Sequence, residues 1–292
     1  MPAVSAPVRA TLMMLGAVGI SGLQNCLMRL LADHGVHTFT IVLARNFFGL
    51  LSVWAIMAAA GIGLPRTRYP TRIALACVLH VGSMLAFMLG LTHLPLNESA
   101  ALSFAAPLFV TMGAALFLGE DVRARRWSAV AAGFVGILVI LRPGVVPVGL
   151  GALMILLSCV LGASVTLSFK RFTGAEQPLT LLFYQSLFAS LLSLPLAAPV
   201  WTQPAAFDLL LLVAIGVIGT LGWLAFLRSC QLVDASAIMP IEFVKLPSVA
   251  FFAYLMFGER PDEWTWLGAA IIFGSTLYIA HREAVAHREG RR

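Results

Sequence analysis

The hydrophobic pattern of this chain is a series of long, nearly uninterrupted apolar runs, separated by short polar or proline-containing links. Most runs are close to 20 residues, the length at which an α-helix crosses about 30 Å of hydrocarbon. Membrane β-strands are about ten residues long and alternate in polarity, so these runs predict helices instead. The ten predicted helices are 10–31, 37–60, 72–93, 97–118, 126–142, 148–170, 178–198, 206–230, 235–257 and 263–281.

The composition supports a membrane protein. The chain is 60% hydrophobic and 11% charged, and its mean hydropathy is +0.94, whereas a soluble domain is about 25% charged. No link is long enough to hold a soluble domain, and we expect the long first run to be retained rather than cleaved as a leader. These features predict an all-α, multi-pass membrane protein, with the lipid bilayer as its surroundings.

The two halves of the chain repeat each other. The sequence Leu-Phe-Leu-Gly-Glu ending at Glu120 returns as Leu-Met-Phe-Gly-Glu ending at Glu259, 139 positions later, and Trp127 corresponds to Trp266 in the same register. An internal repeat in which each copy encodes one bundle of apolar helices is typical of secondary transporters. We therefore predict a first five-helix repeat over 1–147, a second over 148–281 and a polar cytoplasmic tail over 282–292.

The number of helices in each repeat predicts their relative orientation. Five is odd, so the second repeat enters the membrane from the opposite side, and the repeats form an inverted pair whose site is expected near the midplane. Fourteen of the nineteen lysines and arginines fall on the side of the N-terminus, three on the other side and two inside runs. Basic residues collect on the cytoplasmic side, so we predict that both termini are cytoplasmic. The same bias accounts for the net charge of +6 without a nucleic-acid partner.

Residues 101–144 resemble the repeat of the drug/metabolite transporter superfamily in its EamA branch, through Pro107 and the motifs at 118–120 and 133–136. The second half is similar through residues 258–261. The resemblance implies a ten-helix exporter of small metabolites in the bacterial inner membrane, with the amino-acid exporters of the YddG type as the nearest members. It also implies a central cavity formed mainly by the first, third, fourth, sixth, eighth and ninth helices.

Two charges lie inside the ninth run. Glu242 and Lys245 are three residues apart and share one helical face. Either they neutralise each other and hold helices together, or they mark a substrate or ion path, because charges inside a membrane are costly. They map back to Ser103 and Ala106 in the first repeat, so the charges are not part of the repeated unit. A carboxylate and an ammonium group on one face would suit a zwitterion, the form of a free amino acid.

Other polar and aromatic residues inside runs are candidate contacts, each with a packing alternative. His80 is either a packed core histidine or a proton carrier. Gln24 and Asn25, the latter matched by Thr166 in the second repeat, either join helices or contact the solute. Trp223 either packs in lipid or stacks on the solute. The predicted substrate-binding residues are Gln24, Asn25, His80, Ser103, Phe104, Thr166, Trp223, Glu242, Phe243 and Lys245.

A second set of residues is predicted to be structural or to act in gating. A proline inside a helix removes a hydrogen bond and kinks the helix, so the proline-bearing fourth and ninth runs are expected to bend during alternating access. Arg45 lies inside the second run and is expected to pair with a carboxylate or with carbonyl groups, and Ser186 takes its place in the second repeat. The set comprises Arg45, Pro107, Glu120, Pro240, Pro247 and Glu259.

The chain carries no motif for catalysis or for ATP-driven pumping. The phosphate-binding pattern G-x-x-x-x-G-K-[ST], a nucleophile elbow and H-E-x-x-H do not occur. We therefore predict no enzyme activity and no cofactor, and the sequence gives no sign of an obligate protein partner. The four cysteines fall in apolar runs without paired spacing, so we predict that they are packing residues and not metal ligands or disulfides. We predict a secondary transporter that exports small metabolites, above all amino acids, by alternating access. A multidrug or other amphipathic-solute exporter is the alternative, and both facilitated export and proton antiport fit the sequence.

Overall fold

The computed structural model describes residues 6–117, 124–143, 149–170, 178–232, 241 and 244–289. Most of these residues are helical, and a short 3-10 turn, Ala198–Val200, follows the eighth helix. In chain order the α-helices are α1 (Ala6–Asp33), α2 (Thr38–Ala59), α3 (Pro70–His93), α4 (Leu96–Ser103), α5 (Ala106–Phe117), α6 (Ala124–Leu141), α7 (Leu150–Lys170), α8 (Pro178–Ala197), α9 (Ala206–Leu232), α10 (Lys245–Phe257) and α11 (Glu263–Glu289).

Helices of membrane-spanning length dominate the described chain. Two shorter apolar helices, Trp127–Leu141 and Lys245–Phe257, accompany them. Each of the ten predicted runs contains at least one helix, so the all-helical membrane class is confirmed, while ten crossings stay a prediction. Seven described segments are long and apolar enough to cross: Val8–Asp33, Thr38–Ala59, Pro70–His93, Leu96–Leu116, Leu150–Ser168, Leu179–Val200 and Ala206–Phe226.

The fourth run is divided into two helices. α4 ends at Ser103, a turn follows, and α5 begins with Pro107 in its first turn. Pro247 lies in the first turn of α10 in the same way. Proline lacks an amide hydrogen that the first turn of a helix does not need, so this position tolerates it. Both prolines therefore start a helix, whereas the sequence predicted a kink within one. Pro240 lies outside the described residues.

The packing of the helices follows a pattern of exchange between the halves. The contacts come in corresponding pairs. The contact of α1 with α9 corresponds to that of α7 with α3, and the contact of α2 with α9 corresponds to that of α8 with α3. The contact of α1 with α10 corresponds to that of α7 with α5. In addition, α2 packs on α8 and α6 packs on α11. A two-fold relation that matches α1, α2, α3, α5 and α6 with α7, α8, α9, α10 and α11 would produce these pairs.

Glycines allow α6 and α11 to approach each other closely. A Cβ atom added to Gly268 would lie 2.6 Å from the carbonyl oxygen of Gly136, and one added to Gly136 would lie 2.8 Å from that of Gly268. Both distances are shorter than real side chains allow, so any larger residue would push the backbones apart. Small residues at such crossings are a common basis of helix association in membranes.

Polar contacts join the two repeats at the end of the bundle farthest from residue 6, which we call the distal face; the other end is the N-terminal face. Three contacts link the first repeat to the second there: Arg142 with Asp262 at 2.7 Å, His34 with Asp208 at 2.7 Å, and the Leu96 amide with the Glu259 carboxylate at 2.8 Å. The largest cluster of buried apolar side chains, which includes Met28, Leu91 and Ile215, fills the neighbouring half of the bundle. The distal half is therefore closely packed.

Two acidic residues at this face accept backbone amides in the first turns of helices. The Glu259 carboxylate accepts the amide of Leu96, the first residue of α4, where the helix dipole favours a negative charge. It follows Gly258, whose φ of +69° ends α10 in the left-handed region. Asp262 caps α11 by accepting the Thr265 amide at 2.8 Å. Burial alone would raise the pKa of Asp262, but its hydrogen bonds with Thr265 and the charge of Arg142 hold that pKa below its usual value.

Candidate functional site

A cavity of about 410 Å³ lies among α1, α2, α3, α8 and α9, with Lys245 at the start of α10 also on its wall. Its lining residues lie near the middle of these helices, and both repeats contribute to it. Small-molecule sites in proteins have volumes of this order. The polar and aromatic lining residues are Ser21, Gln24, Arg45, Asn46, His80, Gln185, Ser186, Thr220, Trp223, Phe226 and Lys245.

Glycines on one face of α9 shape the wall of this cavity. Gly216, Gly219 and Gly222 recur every three residues, so they form one stripe along the helix. A Cβ atom at Gly216 would lie 2.9 Å from the Gly49 amide nitrogen, and one at Gly219 would overlap the side chain of Gln24. The stripe therefore brings the backbone of α9 against α1 and α2 and keeps its side of the cavity free of bulk.

Some polar side chains of the cavity are used to hold helices together. The Gln24 amide donates a hydrogen bond to the Ile215 carbonyl at 2.6 Å, which joins α1 to α9. The Asn46 amide donates to the Ser193 hydroxyl at 3.5 Å, between α2 and α8. The Thr220 hydroxyl donates to the Gly216 carbonyl of its own helix at 3.0 Å and to the Gly49 carbonyl of α2 at 3.4 Å. Their hydrogen-bonding capacity is thus partly taken up by the fold.

Other polar side chains of the cavity have no protein partner in the described part of the chain. The Arg45 guanidinium and the Lys245 ammonium group are partly buried, and neither makes a hydrogen bond or ion pair with a described residue. The same holds for the side chains of His80, Gln185 and Ser186. Buried polar groups in proteins are normally hydrogen-bonded, so these groups are available to a solute or to water.

Two aromatic rings form an apolar part of the wall. The rings of Trp223 and Phe226, one turn apart on α9, are 5.3 Å apart and inclined by 24°, which is a stacked arrangement. Phe226 also packs on the buried side chains of Met14 and Val18. The cavity therefore combines a flat apolar surface with cationic and hydrogen-bonding groups.

The structure brings four of the predicted substrate-binding residues together in this cavity. Gln24, His80, Trp223 and Lys245 all line it. Arg45, predicted as a structural or gating residue, lines it as well. Glu242 and Phe243 lie outside the described residues, and so does Glu120 from the gating set.

Four other predicted contacts lie elsewhere. Asn25 is buried but follows Gln24 directly, and successive helical residues point about 100° apart. The Ser103 hydroxyl donates to the Ala100 carbonyl at 2.7 Å, and Phe104 packs against the large apolar cluster of the distal half. Thr166 is exposed and donates to its own helix at 3.0 Å. None of the four lines the cavity.

The helices around the cavity differ from the set that the family resemblance implied. The second and seventh runs, as α2 and α8, take the places expected for the fourth and sixth. The reason is packing: α5 lies against α7, and α7 lies against α3. Sequence reasoning missed Asn46 and Gln185 as lining residues. A usable signal was that these polar residues lie inside apolar runs, beside Arg45 and its counterpart Ser186.

The described residues contain no group of three or more His, Cys, Asp or Glu side chains placed to hold a metal ion. Cys26, Cys77 and Cys159 are buried free thiols. The described lining residues offer a solute positive charge, hydrogen bonds and apolar contact.

Apolar helices packed around a polar cavity near their middle define a multi-pass membrane protein that can hold a small solute within the bilayer. The chain belongs to the EamA-like transporter family, which matches residues 8–142 and again 149–280. It is thus a membrane transporter and not an enzyme, and the superfamily suggested by the repeat motifs is confirmed.

Individual relatives carry different solute names. The chain is 30% identical over 267 residues to an S-adenosylmethionine uptake transporter of Rickettsia felis, and the aligned part covers 91% of each of the two chains. It is 32% identical over 243 residues to a riboflavin transporter of Rhizobium johnstonii, covering 83% of this chain and 80% of the relative. It is 27% identical over 243 residues to a pseudopaline exporter of Pseudomonas aeruginosa, covering 82% and 85%. These relatives do not bear out a specific relation to amino-acid exporters of the YddG type.

A solved crystal structure has the same fold. It is 17% identical in sequence, with a TM-score of 0.63 over 94% of this chain and 98% of its own. At this level of identity the likeness concerns the fold alone.

Proposed function

We propose that this chain is a secondary transporter that exports small metabolites with an amino-acid group across the bacterial inner membrane by alternating access. The observation that carries the proposal is the cavity of about 410 Å³ near the middle of the bundle, with polar side chains, such as Arg45 and Lys245, that have no described protein partner. S-adenosylmethionine, named in the Rickettsia felis relative, itself contains an amino-acid group, which agrees with this substrate class.

The arrangement of the bundle supports alternating access. The exchange of helix contacts between the halves is what inverted repeats would produce, and such repeats place their site near the midplane. The distal half is closed by apolar packing and by polar contacts such as Arg142 with Asp262. Movement of a solute to that side requires these contacts to separate, and the break between α4 and α5 offers a place for the change in backbone angle.

The direction of transport follows from the predicted orientation. The excess of basic residues on the side of the N-terminus supports a cytoplasmic N-terminal face. Since the distal half is closed, the cavity in this conformation would load from the cytoplasm. Loading from the cytoplasm and release at the distal face is export.

The proposal is tested by counterflow of labelled amino acids and their conjugates in liposomes that contain the purified protein. We expect at least one such compound to accumulate above the level in protein-free liposomes, and a pH gradient shows whether protons are coupled. Ser186→Trp, which fills the cavity, should abolish the accumulation, whereas Leu194→Trp on the exposed side of α8 should not. Accumulation of riboflavin or dyes without any amino-acid compound would contradict the proposal.

A carrier of amphipathic solutes is the second candidate. The flat apolar surface formed by Trp223 and Phe226 favours it, since aromatic rings stack well on planar solutes. The same counterflow assay separates the candidates. Transport of cationic dyes that amino acids do not inhibit would assign the chain to this class.

A further inference from the structure

The charge of the cavity has one sign among the described lining residues. Arg45 from α2 and Lys245 from α10 are the charged side chains there, and they belong to different repeats. Both are partly buried near the middle of the bundle, and neither has a hydrogen-bond or ion-pair partner in the described part of the chain. The described walls therefore carry two uncompensated positive charges.

A positively charged side chain inside a membrane protein is stabilised by a partner, above all by an anion. Ionisable side chains at this depth are costly, so they pair with each other, with backbone carbonyls or with a transported solute. Among the described residues of the wall no side chain supplies an anion, because His80, Gln185 and Ser186 are neutral or cationic. For the described part of the wall, we expect the solute to supply the counter-charge.

The two cations suit carboxylates in different ways. The guanidinium of Arg45 presents a planar fork that can bind a carboxylate through two parallel hydrogen bonds. The ammonium group of Lys245 is a compact charge that accepts an anion from several directions. The free side chains of Gln185 and Ser186 can bind the remaining polar atoms of the solute, including an amino group.

We propose that the cavity selects solutes of net negative charge, with one carboxylate on Arg45 and a second on Lys245. The substrate class is then that of dicarboxylic amino acids and their acidic conjugates. Cationic solutes are rejected, and these include S-adenosylmethionine, so this chain would differ from its Rickettsia felis relative in the charge of its solute. The inference rests on the proposed function, because it names the charge of the solute that the same cavity would carry.

The first test compares acids with their neutral amides, which have nearly the same shape. In counterflow, glutamate and aspartate should compete at least about tenfold better than glutamine and asparagine, as expected for hydrogen bonds between charged groups. Arg45→Gln should reduce this preference to near one, and Arg45→Lys should keep part of it. Arg9→Gln removes a cation from an exposed site on α1 and should leave the preference unchanged. Equal competition by acids and amides in the unaltered protein would overturn the inference.

A binding measurement separates failure of the inference from failure of the proposed function. Succinate, which has two carboxylates and no amino group, should raise the melting temperature of the detergent-purified protein, and succinamide should not. If succinate stabilises the unaltered protein but not Arg45→Gln, while no amino-acid compound is transported, the proposed function fails and the selection of negatively charged solutes stands. Stabilisation by inorganic phosphate but not by succinate would overturn the assignment to carboxylates.

Glu242→Gln removes the carboxylate nearest in sequence to Lys245, so the preference for acids should hold or rise. A fall would contradict the inference.

Discussion

At the residue scale, the cavity contains polar side chains with two different duties. Gln24 and Asn46 are hydrogen-bonded across helix interfaces, so changes there are expected to affect both the fold and the solute. Arg45 and Lys245 have no described partner, so changes there are expected to affect the solute first. This difference makes the roles of neighbouring residues experimentally separable.

The contact between Gly219 and Gln24 gives a prediction at this scale. Gly219→Ala places a Cβ atom on the Gln24 side chain, which must leave the Ile215 carbonyl. An interhelical hydrogen bond of this kind contributes about 1 kcal/mol in membranes, so we expect a lower melting temperature together with weaker solute binding. Gly19→Ala on α1, where an added Cβ meets nothing within 4 Å, is the control. Unchanged stability and binding in Gly219→Ala would show that the Gln24 bond is dispensable.

At the element scale, the crossing of α6 with α11 depends on two glycines whose backbones nearly touch. Added Cβ atoms would lie 2.6 and 2.8 Å from backbone carbonyl oxygens, which cannot move aside as a side chain can. Since α6 and α11 end the two halves of the chain, this crossing ties the repeats together. It should therefore be among the least tolerant sites of the bundle.

We predict that Gly268→Ala destabilises the protein. Overpacking of a close interface costs about 1–3 kcal/mol, which outweighs the usual gain of alanine over glycine in a helix. Gly274→Ala lies on the same helix, with nothing within 4 Å of the added atom, and should be neutral or slightly stabilising. Melting temperatures of the two variants in detergent decide the matter. Equal stability of both would mean that α6 and α11 do not approach as closely as described.

The contact between Arg142 and Asp262 gives a prediction on pH. The pKa of Asp262 is held below its usual value, so the stabilisation is fully present above about pH 4 and is lost as the pH falls through the lowered pKa. Asp262→Asn should therefore be less stable than the unaltered protein at neutral pH, by at most about 1 kcal/mol for a pair this exposed. The difference should shrink as the pH falls below 4. A difference that stays constant down to pH 2 would exclude the charge as its cause.

Much of the helical architecture was predictable from the sequence, because apolar runs of membrane-spanning length leave few alternatives. His80, Trp223 and Lys245 were predictable as lining residues, since each interrupts an apolar run with a group that needs a reason to be there. Which helices surround the cavity was not predictable, because it depends on how each helix is rotated and packed. Asn25 illustrates this, since it adjoins Gln24 in sequence and does not line the cavity.

At the scale of the whole molecule, the direction of transport depends on which side of the membrane the two termini face. The excess of basic residues predicts a cytoplasmic C-terminus, and with it a cavity that loads from the cytoplasm. A reporter enzyme that is active only in the periplasm, fused after Arg292, should be silent. The same reporter inserted in the predicted periplasmic link at residues 144–148 should be active. The opposite pair of signals would reverse the direction of transport.

The cavity among α1, α2, α3, α8 and α9 is, in the function proposed above, the solute site of an alternating-access transporter. This role is tested most directly by Ser186→Cys in a chain whose four native cysteines have been replaced. We predict that a membrane-impermeant thiol reagent labels this position from the N-terminal face and that the transported solute protects it. We also predict that Glu259→Gln with Asp262→Asn increases labelling from the distal face. A folded, transport-competent protein whose Cys at 186 reacts from neither face, or reacts equally with saturating solute present, would contradict the account.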